Sequence, residues 1–363
     1  MITALLFPLL FSGVRFSSLN LQMSSNLKLS DTALQVADTG IQHALAVIPS
    51  GYNFNYTSTT EVVPLTAHPT LTGFSYRVTA INTAGGVQAI LTSTATGPNN
   101  SATKVVTAYV SRGTYGLGAT SLPGSTAAAT ETNFSGTSFS INGTDQCGAA
   151  PAVPGIAVTD SELQTEITNN TTSDGGLASN QMNLVTGAGG SPSVSKVAPM
   201  EQSVTEMANA YLCVILTCTG GVPPDVDCTQ PSDTVLCGQN YTGETWGTSI
   251  TPQITQIKGN AQISGNVTGY GVLIVDGALD IAGTFEFHGL VIARGDIQVQ
   301  IAGNAGIYGS LMLGESVTYD PQVELDVRGN ATIRYNSCDL AAADGWVRLP
   351  KLAKLVAWHE KLN

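Results

Sequence analysis

Only 11% of the 363 residues are charged, and the 14 Lys and Arg are outnumbered by 26 Asp and Glu, for a formal net charge of −12. A chain so poor in cations repels phosphate backbones over most of its surface, which excludes nucleic acid as an expected partner. With 42% apolar residues, it also has too much to bury for a disordered polymer. Histidine is scarcer still. His43, His68, His288 and His359 stand in separate segments, without the H-x-H or H-E-x-x-H spacing of a metal site, so neither a metal nor a cofactor is expected. No G-x-S-x-G elbow and no P-loop occurs, which removes the usual scaffolds for acyl-enzyme chemistry and nucleotide hydrolysis. No apolar run reaches the ~20 residues that span a bilayer. The longest near the N-terminus is Ala4 to Phe11, with Arg15 the first basic residue. A signal peptide would carry a basic stretch before such a run and a small-residue cleavage site after it, and neither is evident.

The six cysteines include no C-x-x-C pair, and Cys213, Cys218, Cys228 and Cys237 crowd into one Pro- and Gly-rich stretch without histidine. That pattern favours structural disulfides in an oxidising compartment over zinc. Proximity makes 213 with 218 and 228 with 237 the simplest pairs, and a bridge between Cys147 and Cys338 would then tie the middle of the chain to its end. Sequence alone leaves the connectivity open.

Gly, Ser, Thr, Asn and Ala dominate, a balance that favours strands and turns, as in exported and filament proteins. From residue 16 the pattern is helical, with Leu19, Met23, Leu27, Leu34, Ala37, Ile41 and Ala44 recurring at helical spacings as the packing face. Pro49 and Gly51 supply the stop. Residues 73–82, 86–96 and 102–112 are strand-like runs separated by Gly- and Asn-rich turns, which predicts an antiparallel meander. Residues 113–154 look like a linker with one strand at 134–141. Helices are expected at 160–169, capped by Asp160 or Ser161, and at 199–216. Asp145, beside Gly143 and Gly148, is expected to cap a turn.

The clearest signal is periodic. Glycines stand at 259, 265, 271, 277, 283, 289 and 295, steps of six, with apolar residues at the third and fifth positions of most hexads. Alternation of period two puts those residues on one face of short strands, with Gly259, Gly265, Gly271, Gly277, Gly283, Gly289 and Gly295 at the corners. After two-residue slips the pattern runs on through Ile333. Three hexads close one turn of a three-sided parallel β-helix of about four rungs, stacking Ile263 under Ile281 under Val299 and Leu279 under Ile297. Acyltransferase β-helices place an aliphatic residue before each glycine, and Lys258, Ser264, Tyr270, Asp276, Ala282, His288 and Arg294 do not fit that rule. Asp276, Asp280, Glu286 and Asp296 fall on the outward face, where paired carboxylates could serve as acid and base or hold calcium, and where plain solvation is the expected role. His288 and Arg294 are expected at equivalent corners of adjacent sides, apart from each other. Residues 344–363 suggest an amphipathic helix covering the last rung.

The run from Ser17 to Leu45, ending Ala37-Asp38-Thr39-Gly40-Ile41-Gln42-His43-Ala44-Leu45, resembles the N-terminal helix of PilX-type type IV pilus assembly proteins. The phrases GYGVLIVDGALDIAG and FEFHGLVIARG resemble stretches late in the same family. The resemblance implies a non-enzymatic minor pilin or assembly protein, with pilins and pilus assembly proteins as partners of the helix. It also implies an inner-membrane anchor before assembly, with the bulk periplasmic or on an extracellular pilus. Pilins carry a basic leader and an early glutamate that are absent here, so the start is expected upstream of Met1, or the chain anchors without processing. The expected organisation is thus mainly β with an N-terminal helix: 1–50 helix, 51–112 pilin-like sheet, 113–258 linker and Cys-containing subdomain, 259–336 parallel β-solenoid, 337–363 amphipathic tail. Two other readings are a surface adhesin, whose ligand the sequence does not specify, and a glycan-active β-helix enzyme.

Overall fold

A computed structural model describes residues 2–51, 54–83, 88–123, 131–148, 150–169, 176–226, 228, 232–294, 299–314 and 323–361, with side chains of the first helix described from residue 20. The chain divides into two compact units. One comprises Met1–Ile48, Asn53–Gly113 and Ala353–Asn363, and the other Pro49–Tyr52 and Thr114–Leu352.

The first unit is a helix against an antiparallel sheet. Helix α1 runs Ile2–Val47, and its C-terminal part buries Ala33, Val36, Ala37, Ile41 and Ala44, a stripe at helical spacing. Gly40 lets the backbones approach, because a Cβ there would lie 2.3 Å from the Ser93 hydroxyl. The sheet order is Thr60–Ala67, Ser75–Asn82, Gln88–Thr96, Thr103–Tyr115, Lys351–Glu360. Tyr76, Val78 and Ala80, Ala89 and Leu91, and Val106, Ala108 and Val110 alternate inward as period two requires. The three expected strands are present. The two edges were not foreseen: Thr60–Ala67 contains Pro64, tolerated at an irregular edge where no donor is needed.

The tail is a correction. Instead of one helix over 344–363, α4 spans Ser337–Trp346 and a strand spans Lys351–Glu360. Pro350 denies helix continuation, and an open sheet edge supplies the hydrogen bonds that local spacing cannot reveal.

The second unit is built from parallel strands stacked in register. Asn266–Val275 pairs with Thr284–Ala293, which pairs with Asn304–Leu313, along all ten residues. A parallel column beside it runs Ala261–Ile263, Leu279–Ile281, Val299–Ile301, Val323–Val327. Each ten-residue strand bends at a glycine, Gly271, Gly289 or Gly309, with φ of 120°, 133° and 141°. Successive layers approach so closely there that a Cβ on Gly289 would lie 2.0 Å from the Gly271 carbonyl oxygen. Gly265, Gly283 and Gly303 make similar close approaches at another bend. Gly295 lies outside the described residues, as do Asp296 and Ile297.

One register differs from expectation. Ile281 pairs with Ile301, and Leu279 with Val299, so the extra two residues precede Val299 rather than follow it. Val299 and Ile301 are fully buried. In the next layer Leu325 and Val327, the partners of Val299 and Ile301, are buried.

The stack also extends past 259–336. Val235–Cys237, Asn240–Tyr241 and Thr245–Trp246 form an earlier layer. Residues expected as a linker add later ones: Thr120–Leu122 pairs with Asn304–Leu313, Glu131–Phe134 with Val323–Val327, and Ser140–Asn142 with Thr332–Tyr335. Ile156–Val158 and Val194–Lys196 follow. The single strand expected at 134–141 is two, parted by a turn at Gly136 with φ of 84°. Beyond the glycine bends the strands are buried on both faces, Val272, Ile274, Leu290 and Ile292 as well as Leu273 and Val291. Helix α3, Val204–Ile215, packs on Gln253–Lys258, and α4 on the three ten-residue strands, the covering that a doubly apolar parallel sheet requires. Helix α2, Ser161–Thr168, is capped by Asp160 as expected, and α3 starts late because Ser203 and Glu206 form a capping box.

Candidate functional site

In the first unit the feature with functional reach is α1. Of the seven residues expected to pack, Ala37, Ile41 and Ala44 are buried against the sheet and Leu34 is half-buried, while Met23 and Leu27 are both 68% exposed. The Leu19 side chain is outside the described residues. Leu21 is 70% exposed as well, so three large apolar side chains, spaced among Asn20, Gln22, Ser24, Ser25, Asn26 and Lys28, are left uncovered by the unit. Large apolar side chains exposed on a helix are points at which other helices can pack. Among the described residues, no helix is long and apolar enough to cross a membrane.

In the second unit the outward carboxylates are engaged singly. Asp276 accepts from Arg294 Nε at 2.5 Å and Gln256 Nε2 at 2.6 Å, and Arg294 also donates to Asn209 at 2.6 Å. Asp280 accepts from Gln262 at 3.3 Å. The two carboxylates have no hydrogen-bond partner in common. Asp326, missed in sequence, is 1% exposed and held by Arg328 and by Asn133 at 3.3 Å. Among the described residues, no group of His, Cys, Asp and Glu could hold a metal.

His288 and Arg294 are apart, as expected, but His288 is not a bare corner. Its ring stacks between Tyr270 and Tyr308, with centroids 4.5 and 4.7 Å away. Nδ1 lies 3.0 Å from Asp339 and Nε2 3.0 Å from Glu286. The hydrogen bond to Asp339 raises its pKa, burial opposes this, and Glu286 adds to the rise. This column was legible in principle, because 270, 288 and 308 are separated by one coil each.

The six cysteines are paired as Cys147–Cys338, Cys213–Cys218 and Cys228–Cys237. Beside the first bridge, Asp145 accepts from the Ala150 amide at 2.7 Å and from the Ser337 amide and hydroxyl, both at 2.8 Å. It caps its turn, as expected, and also clips the start of α4. Burial works against the charge, but the amide donors Ser337, Ala150 and Cys147 outweigh it and hold the carboxyl below the usual range. A carboxyl depressed in the folded state contributes stability that is present above its unfolded value and lost as pH falls through the folded one. Asp145→Asn is expected to lower stability at pH 7 by about 1–2 kcal/mol and to flatten the acid limb below about pH 4. Denaturant midpoints measured from pH 3 to 7 read both.

Val214, Ile215, Thr234, Thr251, Gln253 and Trp346 are among the residues lining an open cleft of about 350 Å³ at the ends of α3 and α4. None of its lining side chains is ionisable.

No family model and no curated protein matches the chain. Among solved structures it is similar to the competence-associated pilin ComZ from Thermus thermophilus, at 12% identity over 93% of this chain and 98% of that one, with a TM-score of 0.24. A score that low bears no weight on function.

Proposed function

We propose that the chain is a structural component of a type IV pilus or pseudopilus, a PilX-like minor pilin or assembly protein rather than an enzyme. The observation that carries this reading is the division of α1: one part packs its own sheet, and the preceding part holds Leu21, Met23 and Leu27 uncovered. A helix of this kind gains by packing against the helices of other pilins, and before assembly by the inner membrane. The second unit is read as a three-sided parallel β-solenoid, supported by coil repeats of 18 and 20 residues and by glycine columns at the bends. In this reading it is the rigid part displayed on the periplasmic or extracellular side.

Removing the residues before Leu29 is expected to leave a folded, soluble protein, because the sheet-packing stripe begins at Ala33. Incorporation into filaments should be lost. Immunoblots of sheared filaments, with circular dichroism of the purified truncation, check both. Normal incorporation of the truncation would sink the proposal.

The adhesin reading has one observation in its favour, the cleft with the Trp346 ring beside Thr234, Thr251 and Gln253, side chains suited to a neutral hydroxyl-bearing ligand.

A further inference from the structure

His288 sits where a proton decides how many bonds can form. A neutral imidazole has one N–H, yet both ring nitrogens face a carboxylate oxygen at 3.0 Å, Asp339 on α4 and Glu286 on its own strand. Only the imidazolium can donate to both. The remaining neighbours do not substitute for that second donor. Tyr270 and Tyr308 lie flat on the two ring faces, from the strands before and after. Arg334, on Thr332–Tyr335, is the register partner of Tyr308 and so lies two layers beyond the histidine. Asn336 donates to the same Asp339 oxygen at 2.7 Å and cannot replace the charge.

We propose that His288 is a proton-operated fastener that holds α4 onto the stacked strands when charged and slackens it when neutral. The raised folded-state value sets the sign. The stability it adds is fully present below the unfolded value of about 6.5 and is lost as pH rises through the folded one. Seating of α4 is therefore tighter in mildly acidic surroundings. Cys338, in the first turn of α4, is bonded to Cys147, so the slackening is confined to the turns beyond it, 340–346. This inference is independent of the pilus reading.

The test is amide hydrogen exchange over 340–346 in the intact protein, corrected for intrinsic rates, between pH 5.5 and 8.5, with NMR titration of the His288 ring. Protection should fall roughly tenfold as pH rises, the low end for a charge-assisted hydrogen bond. H288Q should have low protection without that pH dependence, and D339N should flatten it. The ring titration needs no variant, so a misfolded substitution does not leave the matter open. A ring titrating at or below about 6.5 in the folded protein, or the same pH dependence in H288Q, would overturn the proposal.

Discussion

Replacing Gly289 with alanine is expected to cost the stacked unit about 3–5 kcal/mol, enough to unfold a marginal domain. Two costs add. The residue has φ of 133°, a conformation that penalises any side chain by about 1–2 kcal/mol. The new methyl would also stand 2.0 Å from the carbonyl oxygen of Gly271. That oxygen cannot move aside, because its strand is paired along its length with the strand carrying Gly289. Gly309 stands above, with its own Cβ position 1.9 Å from the Gly289 oxygen, so a shift in one layer is passed to the next. Gly243→Ala is the control: no atom lies within 4 Å of its Cβ position, and a change within about 0.5 kcal/mol is expected. Urea unfolding of both variants in the truncation beginning at Leu29 measures the difference. Equal midpoints would mean that the glycine column does not limit the packing of layers.

Loss of the Cys147–Cys338 bridge, made by serine at both positions, is expected to cost about 5 kcal/mol on the chain-entropy scale. The bridge joins residues 191 apart, so opening it frees a very long loop in the unfolded chain. Cys213–Cys218, with a separation of 5, constrains little, and its removal should cost only about 2 kcal/mol. The comparison is internal to one protein and one denaturant series. Equal costs for the two double variants would show that strain or residual structure, rather than loop closure, sets the contribution of the long bridge.

Much of the stack was legible because its bends demand glycine at close approach, and six-residue steps are hard to hide. The place of the two-residue insertion was not. Ile297, Val299 and Ile301 alternate without a break, so either pair satisfies period two, and only pairing with Leu279 and Ile281 decides. The layers at 120–122, 156–158 and 194–196 are three residues each, too short to show a period, and their partners lie far along the chain. In the tail, Leu349, Leu352 and Leu355 fit a helical spacing that an open strand edge overrides. Of the carboxylates expected outward, Asp276, Asp280 and Glu286 are not buried and Asp296 lies outside the described residues, but Arg294 on Asp276 joins residues 18 apart on adjacent layers, a contact that exists only once the register is known. The column of Tyr270, His288 and Tyr308 depends on the same knowledge.

The order of layers has a consequence for biosynthesis. Thr120–Leu122 must dock on Leu311 and Met312, and Cys147 must meet Cys338, 191 residues later. At about 5–20 residues per second, translation separates those partners by roughly 10–40 s. During that interval Thr120–Leu122 can pair with Ile156–Val158 on one side only, and the edge that will meet Asn304–Leu313 stays open. The stack is therefore closed only once its C-terminal strands have been made, and the early layers wait with one edge unpaired.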